Sequence, residues 1–316
     1  MKQLMYSIWG ALKEVKLNEH ILRGKEFDKS RIEAEIVRNV HSIEKGLSIR
    51  KPRAGFGIKK INGMFSLIEK YERLTDEKTI LFFAVDAVSE YLEFQRSVGF
   101  QSEDILHIEN KNKQLKEKIG CHNELCGGTM IFKRSDVDFT YSAVESLFNT
   151  RHSIRAFSGE DVPEDLLKQA VSLAQRVPSA CNRQAVRVYS IPAKDYIDAM
   201  GNMDGIGGFA EDVDRFLIIT GKKSAYRRGE TNQFIVSASM FAAYLTLTLH
   251  ALGIGACTVQ HSLYPSQAIC EFRKKYGIEE DEQTVVTLGI GMMKDEVKVP
   301  ISKRYPIEKI YRNLSK

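Results

Sequence analysis

Two arginines flank a hydroxyl group in the segment 151–157, which reads RHSIRAF. A guanidinium is a planar, permanently charged fork of donors that matches the oxygens of a phosphate. Arg151 and Arg155, with Ser153 between them, could therefore converge on one phosphate group. The alternative is a pair of surface cations on a turn, and the spacing alone leaves both open.

A second polar segment, 178–184, has the sequence PSACNRQ. Amide side chains both donate and accept hydrogen bonds, so Ser179, Asn182 and Gln184 could satisfy a polyol chain and the edge of a heterocycle. The same residue types make local hydrogen bonds in polar turns, which is the alternative interpretation.

A glycine-containing segment, 252–261, follows a long apolar stretch and reads LGIGACTVQH. Glycine permits a left-handed helix cap and close approach of the backbone to a flat ligand. The Gly-x-Gly-x-x-Gly pattern after a strand is absent, so a Rossmann fold is not predicted. No His–Asp pattern supports Cys257 as a nucleophile, and a small buried thiol is the favoured interpretation.

Basic residues occur in two further segments. Ser302-Lys303-Arg304, near the end of the sequence, could add cations to a phosphate site, or could form a solvated tail. The segment 51–60, KPRAGFGIKK, could bind an anion or act as a lid. A solvated connection between helices is slightly favoured there, because charge runs usually face solvent.

Two cysteines and a histidine lie close together in the segment 121–128, CHNELCGG. No second ligand pair follows at the spacing of a zinc site. We therefore predict a glycine turn that closes a helical region, and we assign no metal ligand from the sequence.

The elements that position these segments fall into two parts. Apolar residues recur at helical spacing in residues 31–45 and 77–97. Ser102, followed by two acids, is a typical N-cap for another helix over 102–119. None of these segments alternates like a strand, so the first part of the chain is predicted to be all-α.

The pattern changes after about residue 141. Ser142 and Glu145 have the spacing of a capping box, and Pro163 is typical of the first turn of a helix. Residues 231–252 are apolar nearly all round, which predicts a helix buried in a core or a subunit interface. Three short segments have the composition of strands: residues 185–191, 215–220 and 284–291. Helices mixed with separated strands predict an α+β architecture.

The composition excludes several classes of protein. Of 316 residues, 43% are hydrophobic and 28% charged, which is typical of a globular protein rather than a disordered or fibrous one. The net charge of +5 is too weak to indicate nucleic-acid binding, because the basic residues are spread among acids. No uninterrupted apolar run reaches about 18 residues, so no membrane span is predicted. Five scattered cysteines favour reduced thiols in the cytoplasm.

Taken together and in this order, these segments resemble the FMN-dependent nitroreductase family. The matching pieces are Arg-x-Ser-x-Arg-x-Phe at 151–157, Pro-Ser-x-x-Asn-x-Gln at 178–184, the apolar helix running into Leu-Gly-Ile-Gly-Ala-Cys at 252–257, and the basic pair before the last helix. The resemblance covers about residues 142–312. It implies a homodimeric α+β fold, with a mixed or antiparallel sheet flanked by helices and FMN at each end of the subunit interface.

The resemblance also implies which residues bind the cofactor. Those expected at the phosphate and ribityl end are Arg151, His152, Ser153 and Arg155, joined by Lys303 or Arg304. Those expected at the ribityl chain or isoalloxazine, some of them from the partner subunit, are Pro178, Ser179, Asn182 and Gln184. Those expected over the flavin are Cys257, Thr258 and Gln260.

The sequence departs from the family pattern in the segment over the flavin. Thr258 stands where the family often has tryptophan, and Gln260 and His261 stand in place of Pro-x-Glu-Gly. These differences affect the expected substrate pocket more than the FMN site. Residues 1–135 resemble a helical extension of some bacterial members, including ones associated with surface-polysaccharide gene clusters, and residues 136–316 are the expected FMN-binding domain.

The activity that the resemblance implies is an FMN-dependent oxidoreductase. It would take hydride from NAD(P)H and pass it to a small-molecule acceptor, nitroaromatic or quinone-like in vitro, with the chemistry belonging to the cofactor. The alternative is a flavin-binding partner protein of a biosynthetic system, without NAD(P)H turnover. Both interpretations predict a cytoplasmic homodimer with no nucleic-acid partner.

Overall fold

The computed structural model describes residues 2–120, 122, 124–200, 208–259 and 267–315, without the side chains of residues 2–7, 9, 14, 267 and 268. Its first part is helical, as the periodicity predicts. The helices are α1 (Lys2–Arg23), α2 (Asp28–Ser48), α3 (Ile58–Tyr71), α4 (Thr79–Ser97) and α5 (Glu103–Ile119).

Helices α2 to α5 pack around one apolar core. The apolar residues of α2 that recur at helical spacing are buried there, among them Ile36, Val40 and Ile43. The predicted N-cap of α5 is confirmed, because Ser102 Oγ accepts a hydrogen bond from the Ile105 backbone N–H at 3.2 Å. This part of the chain therefore has a hydrophobic core of its own.

The second part is α+β, which confirms the predicted fold class. Its helices are α6 (Tyr141–Thr150), α7 (Glu164–Ala174), α8 (Ala193–Met200), α9 (Gln233–Ala251) and α10 (Gln267–Lys275). Its strands are β1 (Val186–Pro192), β2 (Arg215–Lys222), β3 (Ile254–Val259) and β4 (Glu282–Met292). They form one antiparallel sheet in the order β1-β2-β4-β3.

Two local features differ from what the sequence predicts. Residues Ile254–Val259 of the glycine-containing segment, which the sequence does not predict as a strand, form the edge strand β3. Gly253 takes the left-handed conformation, with φ of 74°, and Gly255 lets the Ile154 side chain pack closely, because an added Cβ would lie 2.9 Å from it. The cap of α6 is Thr140, which accepts from the Ala143 N–H at 3.3 Å, and not Ser142.

Helix α9 is buried on one face only. That face packs on the sheet and on α7 and contains Ala238, Leu245 and Leu249. The opposite face exposes Val236, Met240 and Tyr244 within one chain, so burial of that face at a subunit interface stays a prediction. Among the described residues, α9 is also the one helix long and apolar enough to cross a membrane by length and composition. Its packing against the sheet is that of a core helix.

The helical part is docked on the α+β part. Ala34 of α2 is buried in a small cluster with Ala185, Ala225, Tyr226 and Phe234. Beside this cluster, Arg227 Nε donates to Glu35 Oε1 at 2.5 Å. Helix α2 therefore lies against the region that follows the segment 178–184.

Candidate functional site

The segment 151–157 runs from the end of α6 along the edge of the sheet. The Ile154 N–H donates to the Ala256 carbonyl of β3 at 3.1 Å. Ile154 and Phe157 are buried in the core, whereas the Arg155 side chain is exposed. The two apolar anchors therefore fix the backbone and leave the arginine directed to solvent.

Arg151, His152, Ser153 and Arg155 line one cavity of about 320 Å³ together with residues 300–304. We name this the cationic cavity. Its lining includes Arg151, Arg155, Lys303 and Arg304 but no carboxylate. Within the described part of the chain, Arg151, Arg155 and Lys303 form no ion pair with an acid. The cavity is therefore suited to an anion.

A histidine beside the cavity is affected by these cations. His250 Nε2 lies 2.9 Å from Thr150 Oγ1, at the end of α6. Burial lowers the pKa of His250, and the neighbouring Arg151 and His152 lower it further. The positive potential of the cavity thus extends to the adjacent side chains of α6 and α9.

The segment 178–184 is a tight turn with an unusual backbone. Cys181, Asn182 and Gln184 all have positive φ, at 52°, 54° and 49°. The left-handed conformation costs a non-glycine residue about 1–2 kcal/mol. The turn is closed by Ser179, whose Oγ accepts from the Gln184 N–H at 3.1 Å. The amide side chains of Asn182 and Gln184 are left exposed.

Arg183 fixes this turn to the rest of the protein, a role that the sequence interpretation missed. Its buried guanidinium donates to both carboxylate oxygens of Glu230 at 2.9 and 2.7 Å and to the Ala180 and Ala225 carbonyls at 2.9 and 3.0 Å. It also lies over the Tyr226 ring. The hydrogen bonds from Arg183 lower the pKa of Glu230 to about 2. No local sequence pattern predicts this ion pair, because Glu230 lies 47 residues after Arg183 in the chain.

Ser179, Asn182 and Gln184 line a second cavity of about 440 Å³. We name this the amide cavity. Its opposite wall comes from the helical part of the chain, including Glu33 of α2 and Phe83 of α4. Burial raises the pKa of Glu33, and the nearby Glu77, also in the lining, raises it further. The volume is within the range of small-molecule sites.

The structure brings some of the predicted site residues together and separates others. The cationic and amide cavities share no lining residue. Cys257 lies in β3, where burial raises the pKa of its thiol, which agrees with a buried, unreactive cysteine. Thr258 is exposed on the same strand, and Pro178 is exposed just before the turn. Gln260 and His261 lie outside the described residues.

Backbone strain is concentrated at the two cavities. Four non-glycine residues have positive φ in the part of the chain that the structure describes. Three belong to the turn 178–184, and the fourth is Ser302, with φ of 44°, in the lining of the cationic cavity. Such strain persists where surrounding contacts impose it, and it clusters at functional sites.

The fold and the site therefore define the class of the protein: it is an α+β protein with a cationic cavity beside its edge strand. Residues 149–206 match the model of the Nitroreductase family. This segment contains both the arginine segment and the strained turn, and the match confirms the resemblance drawn from the motifs. No curated protein sequence matches the chain.

Several solved structures are similar to about half of this chain. A nitroreductase-like family protein from Bacillus cereus is 17% identical, with a TM-score of 0.47, over 56% of this chain and 99% of that one. An FMN-dependent nitroreductase from Clostridium difficile R20291 is 20% identical, with a TM-score of 0.45, over 54% and 98%. A nitroreductase-like protein from Streptococcus mutans is 14% identical, with a TM-score of 0.47, over 56% and 100%.

Proposed function

We propose that the protein is a cytoplasmic, homodimeric FMN-dependent oxidoreductase. Each flavin site would combine the cationic cavity of one subunit with the turn 178–184 of the other. The observation that carries this proposal is the cationic cavity itself, where several cations have no acidic partner among the described residues and Arg151 and Arg155 lie on the motif that matches the nitroreductase family. The free thiols of the four described cysteines agree with a reducing compartment.

The residues of the cationic cavity fit the phosphate end of FMN. Arg151 and Arg155 offer guanidinium forks, and Lys303 adds a mobile ammonium group. A phosphate dianion bound there would offset the mutual repulsion of these cations. When bound, FMN supplies hydride chemistry at its ring. The roles of the chain are then to hold the phosphate and to orient the ring.

The strained turn fits the other end of the cofactor. It presents the exposed amides of Asn182 and Gln184, which can both donate and accept along a polyol or a heterocycle edge. The Arg183–Glu230 pair holds the turn rigid, which reduces the ordering cost of binding. A preorganised polar edge of this kind is what orientation of a flavin ring requires.

A second copy of the chain is the partner that would unite the two halves. Within one chain, the two halves of the proposed flavin site lie in separate cavities. The same chain exposes an apolar row on α9 that consists of Val236, Met240 and Tyr244. Phe148 of α6 is exposed as well, at 61%. Extended exposed apolar surface on a protein typically marks an interface. We place the subunit interface on this face of α9.

NAD(P)H and the acceptor would bind in turn at the amide cavity, which the helices α2 and α4 partly close. Closure of this kind limits bulk water and restricts the size of the acceptor. The same coverage by α2 and α4 is the observation that favours the alternative, a flavin-binding partner protein without turnover.

The test of the activity is a visible absorption spectrum of the purified protein, before and after anaerobic addition of NADPH or NADH. A flavin spectrum that bleaches on addition supports the oxidoreductase. A flavin spectrum that persists supports the binding-protein alternative. Absence of a flavin spectrum after reconstitution with FMN would contradict both.

The composite site has its own test, a mixture of two damaged chains. Arg155→Ala damages the cationic half, and the double variant Ser179→Ala, Gln184→Ala damages the other half. After subunit exchange in an equal mixture, half of the dimers are mixed, and each mixed dimer has one intact site of its two. The mixture should therefore regain about a quarter of wild-type FMN occupancy. No recovery in a mixture that demonstrably contains mixed dimers would mean that one chain supplies both halves.

A further inference from the structure

Three potential metal ligands from distant parts of the helical region meet on one face of α4. His122 Nε2 lies 2.8 Å from Asp86 Oδ2, although the two residues are 36 apart in the chain. Cys126 joins them, and one ligand atom from each residue lies within 4.8 Å of the others. The side chains of His122 and Asp86 are 19% and 12% exposed and Cys126 is exposed, so an ion can reach the cluster.

The segment that carries His122 and Cys126 is held firmly on the helices. Backbone N–H groups of Cys126, Gly128 and Thr129 donate to Asp86 of α4, Glu44 of α2 and Glu90 of α4, at 2.7, 3.3 and 2.5 Å, respectively. Gly127 is required at this crossing, because an added Cβ would lie 2.3 Å from the Phe83 carbonyl oxygen. These contacts fix the histidine and the cysteine near Asp86.

We propose that Asp86, His122 and Cys126 bind a zinc ion. A carboxylate oxygen, an imidazole nitrogen and a thiolate sulfur form a donor set that zinc accepts, with the fourth position left to water. Tetrahedral zinc with ordinary bond lengths separates its ligand atoms by about 3.4 Å. The three ligand atoms lie within 4.8 Å of one another, and the His122–Asp86 pair, at 2.8 Å, would have to open by about 0.6 Å to reach that spacing.

Formation of the site is balanced in charge and protons. The Cys126 thiol releases one proton to solvent, and His122 binds through Nε2 with its remaining proton on Nδ1. Asp86 keeps the hydrogen bond from the Cys126 N–H while it binds the ion, because a carboxylate offers about four acceptor positions. The ion replaces the direct hydrogen bond between His122 and Asp86.

The site differs from the prediction made from the sequence, in which this segment was a turn without a metal. The spacing of CHNELC offers no second ligand pair, and the missing ligand comes instead from α4. Phe83, one turn before Asp86, lines the amide cavity and contacts Gly127. The ion would therefore anchor the segment that lies against that cavity wall.

The test is metal binding by the full-length chain, measured as zinc content and by titration of the metal-depleted protein with Zn²⁺ against a chromophoric chelator. We expect one high-affinity equivalent per chain. Cys126→Ser and His122→Asn should each weaken zinc binding by more than about 100-fold. Cys270→Ser and His107→Asn are matched controls, because both residues are exposed and belong to other helices.

Substitution with Co²⁺ gives a second readout, which reports on the thiolate ligand directly. Wild-type protein loaded with Co²⁺ should show a thiolate-to-metal charge-transfer band, and the band should persist in the Cys270→Ser control. No stoichiometric zinc uptake by the wild-type chain would overturn the proposal. A Cys126→Ser variant that retains wild-type zinc affinity would overturn it equally.

Discussion

The cationic cavity and the amide cavity differ in how their side chains are held. In the cationic cavity, the charges belong to exposed or half-buried side chains with no acidic partner in the described chain, beside an edge strand. In the amide cavity, a strained backbone is fixed by the buried Arg183, which is fully paired. The first presents cations without acidic partners among the described residues, and the second presents amides on a turn that an ion pair holds, with Glu33 and Glu77 on its opposite side.

This difference teaches how the two halves would divide the work on one ligand. Unpaired cations provide binding free energy to an anion but do not orient a ring. A rigid turn with exposed amides orients a ring but adds less binding free energy, because hydrogen bonds between uncharged groups make a small net contribution. Substitutions in the first half should therefore have the larger effect on cofactor affinity, and those in the second should change stability and orientation as well as affinity.

The largest expected effect is on the cationic half. Arg155→Ala should weaken FMN binding about 100-fold or more, because it removes charge-assisted hydrogen bonds worth about 3 kcal/mol. Fluorescence titration of the cofactor-free protein with FMN measures the dissociation constant. Arg176→Ala, an exposed arginine outside both cavities, is the matched control. Unchanged FMN affinity in Arg155→Ala would reject the phosphate assignment.

The next effect is on the rigidity of the other half. Glu230→Ala leaves the buried guanidinium of Arg183 unpaired and should lower the free energy of unfolding by about 2 kcal/mol. The cost falls below that of a fully buried pair because the Glu230 side chain is 34% exposed. Denaturant unfolding measures it. Glu308→Ala, an exposed glutamate near the C-terminus, is the control and should be neutral.

The same pair has a defined pH dependence. The pKa of Glu230 is lowered from 4.5 to about 2 in the folded chain, so the unfolded chain binds its proton first on acidification. The stabilisation is complete above about pH 4.5 and is lost as the pH falls towards 2. Wild type and Glu230→Ala should therefore converge in stability at low pH. A difference that stays constant down to pH 2 would contradict the ion-pair explanation.

Much of the fold is predictable from the sequence because the relevant signals are local. Helices α2 and α4 follow apolar periodicity, and β2 follows a run of buried β-branched and aromatic residues. Strand β3 escapes prediction because IGACTV has two small residues and no clear alternation, and its pairing with β4 is a tertiary effect. The observed N-cap, Thr140, lies two residues before Ser142, the N-cap that the capping-box spacing predicts.

The candidate site is predictable as a set of segments but not as an arrangement. Motif order indicates that the arginine segment and the turn 178–184 belong to one kind of site, but spacing along a chain cannot show that they line different cavities. Arg183 and Asp86 were missed for a related reason. Their partners, Glu230 and His122, are distant in sequence, and only the fold brings each pair together.

A further prediction concerns the interface that would join the two halves. Tyr244→Asp places a charge on the exposed apolar face of α9 and should raise the dimer dissociation constant at least tenfold, about 1.4 kcal/mol. Sedimentation equilibrium distinguishes the 35.9 kDa chain from its dimer. Leu106→Asp, on an exposed position of α5, is the matched control. A monomeric wild type would reject the composite site and leave the cationic cavity as a complete site.

The smallest effect tests whether the turn is strained. Cys181 has φ of 52° and ψ of 34°, where a non-glycine residue loses about 1 kcal/mol or more. Cys181→Gly removes that cost but adds unfolded-state entropy worth about 0.5 kcal/mol, so the net gain should be about 0.5 kcal/mol. Cys270→Gly, within α10, should change stability in the opposite direction by a similar amount. Thermal unfolding of both variants measures the sign. A loss of stability in Cys181→Gly would contradict the strain. It would mean that side-chain contacts of Cys181 stabilise the turn by more than its left-handed backbone conformation costs.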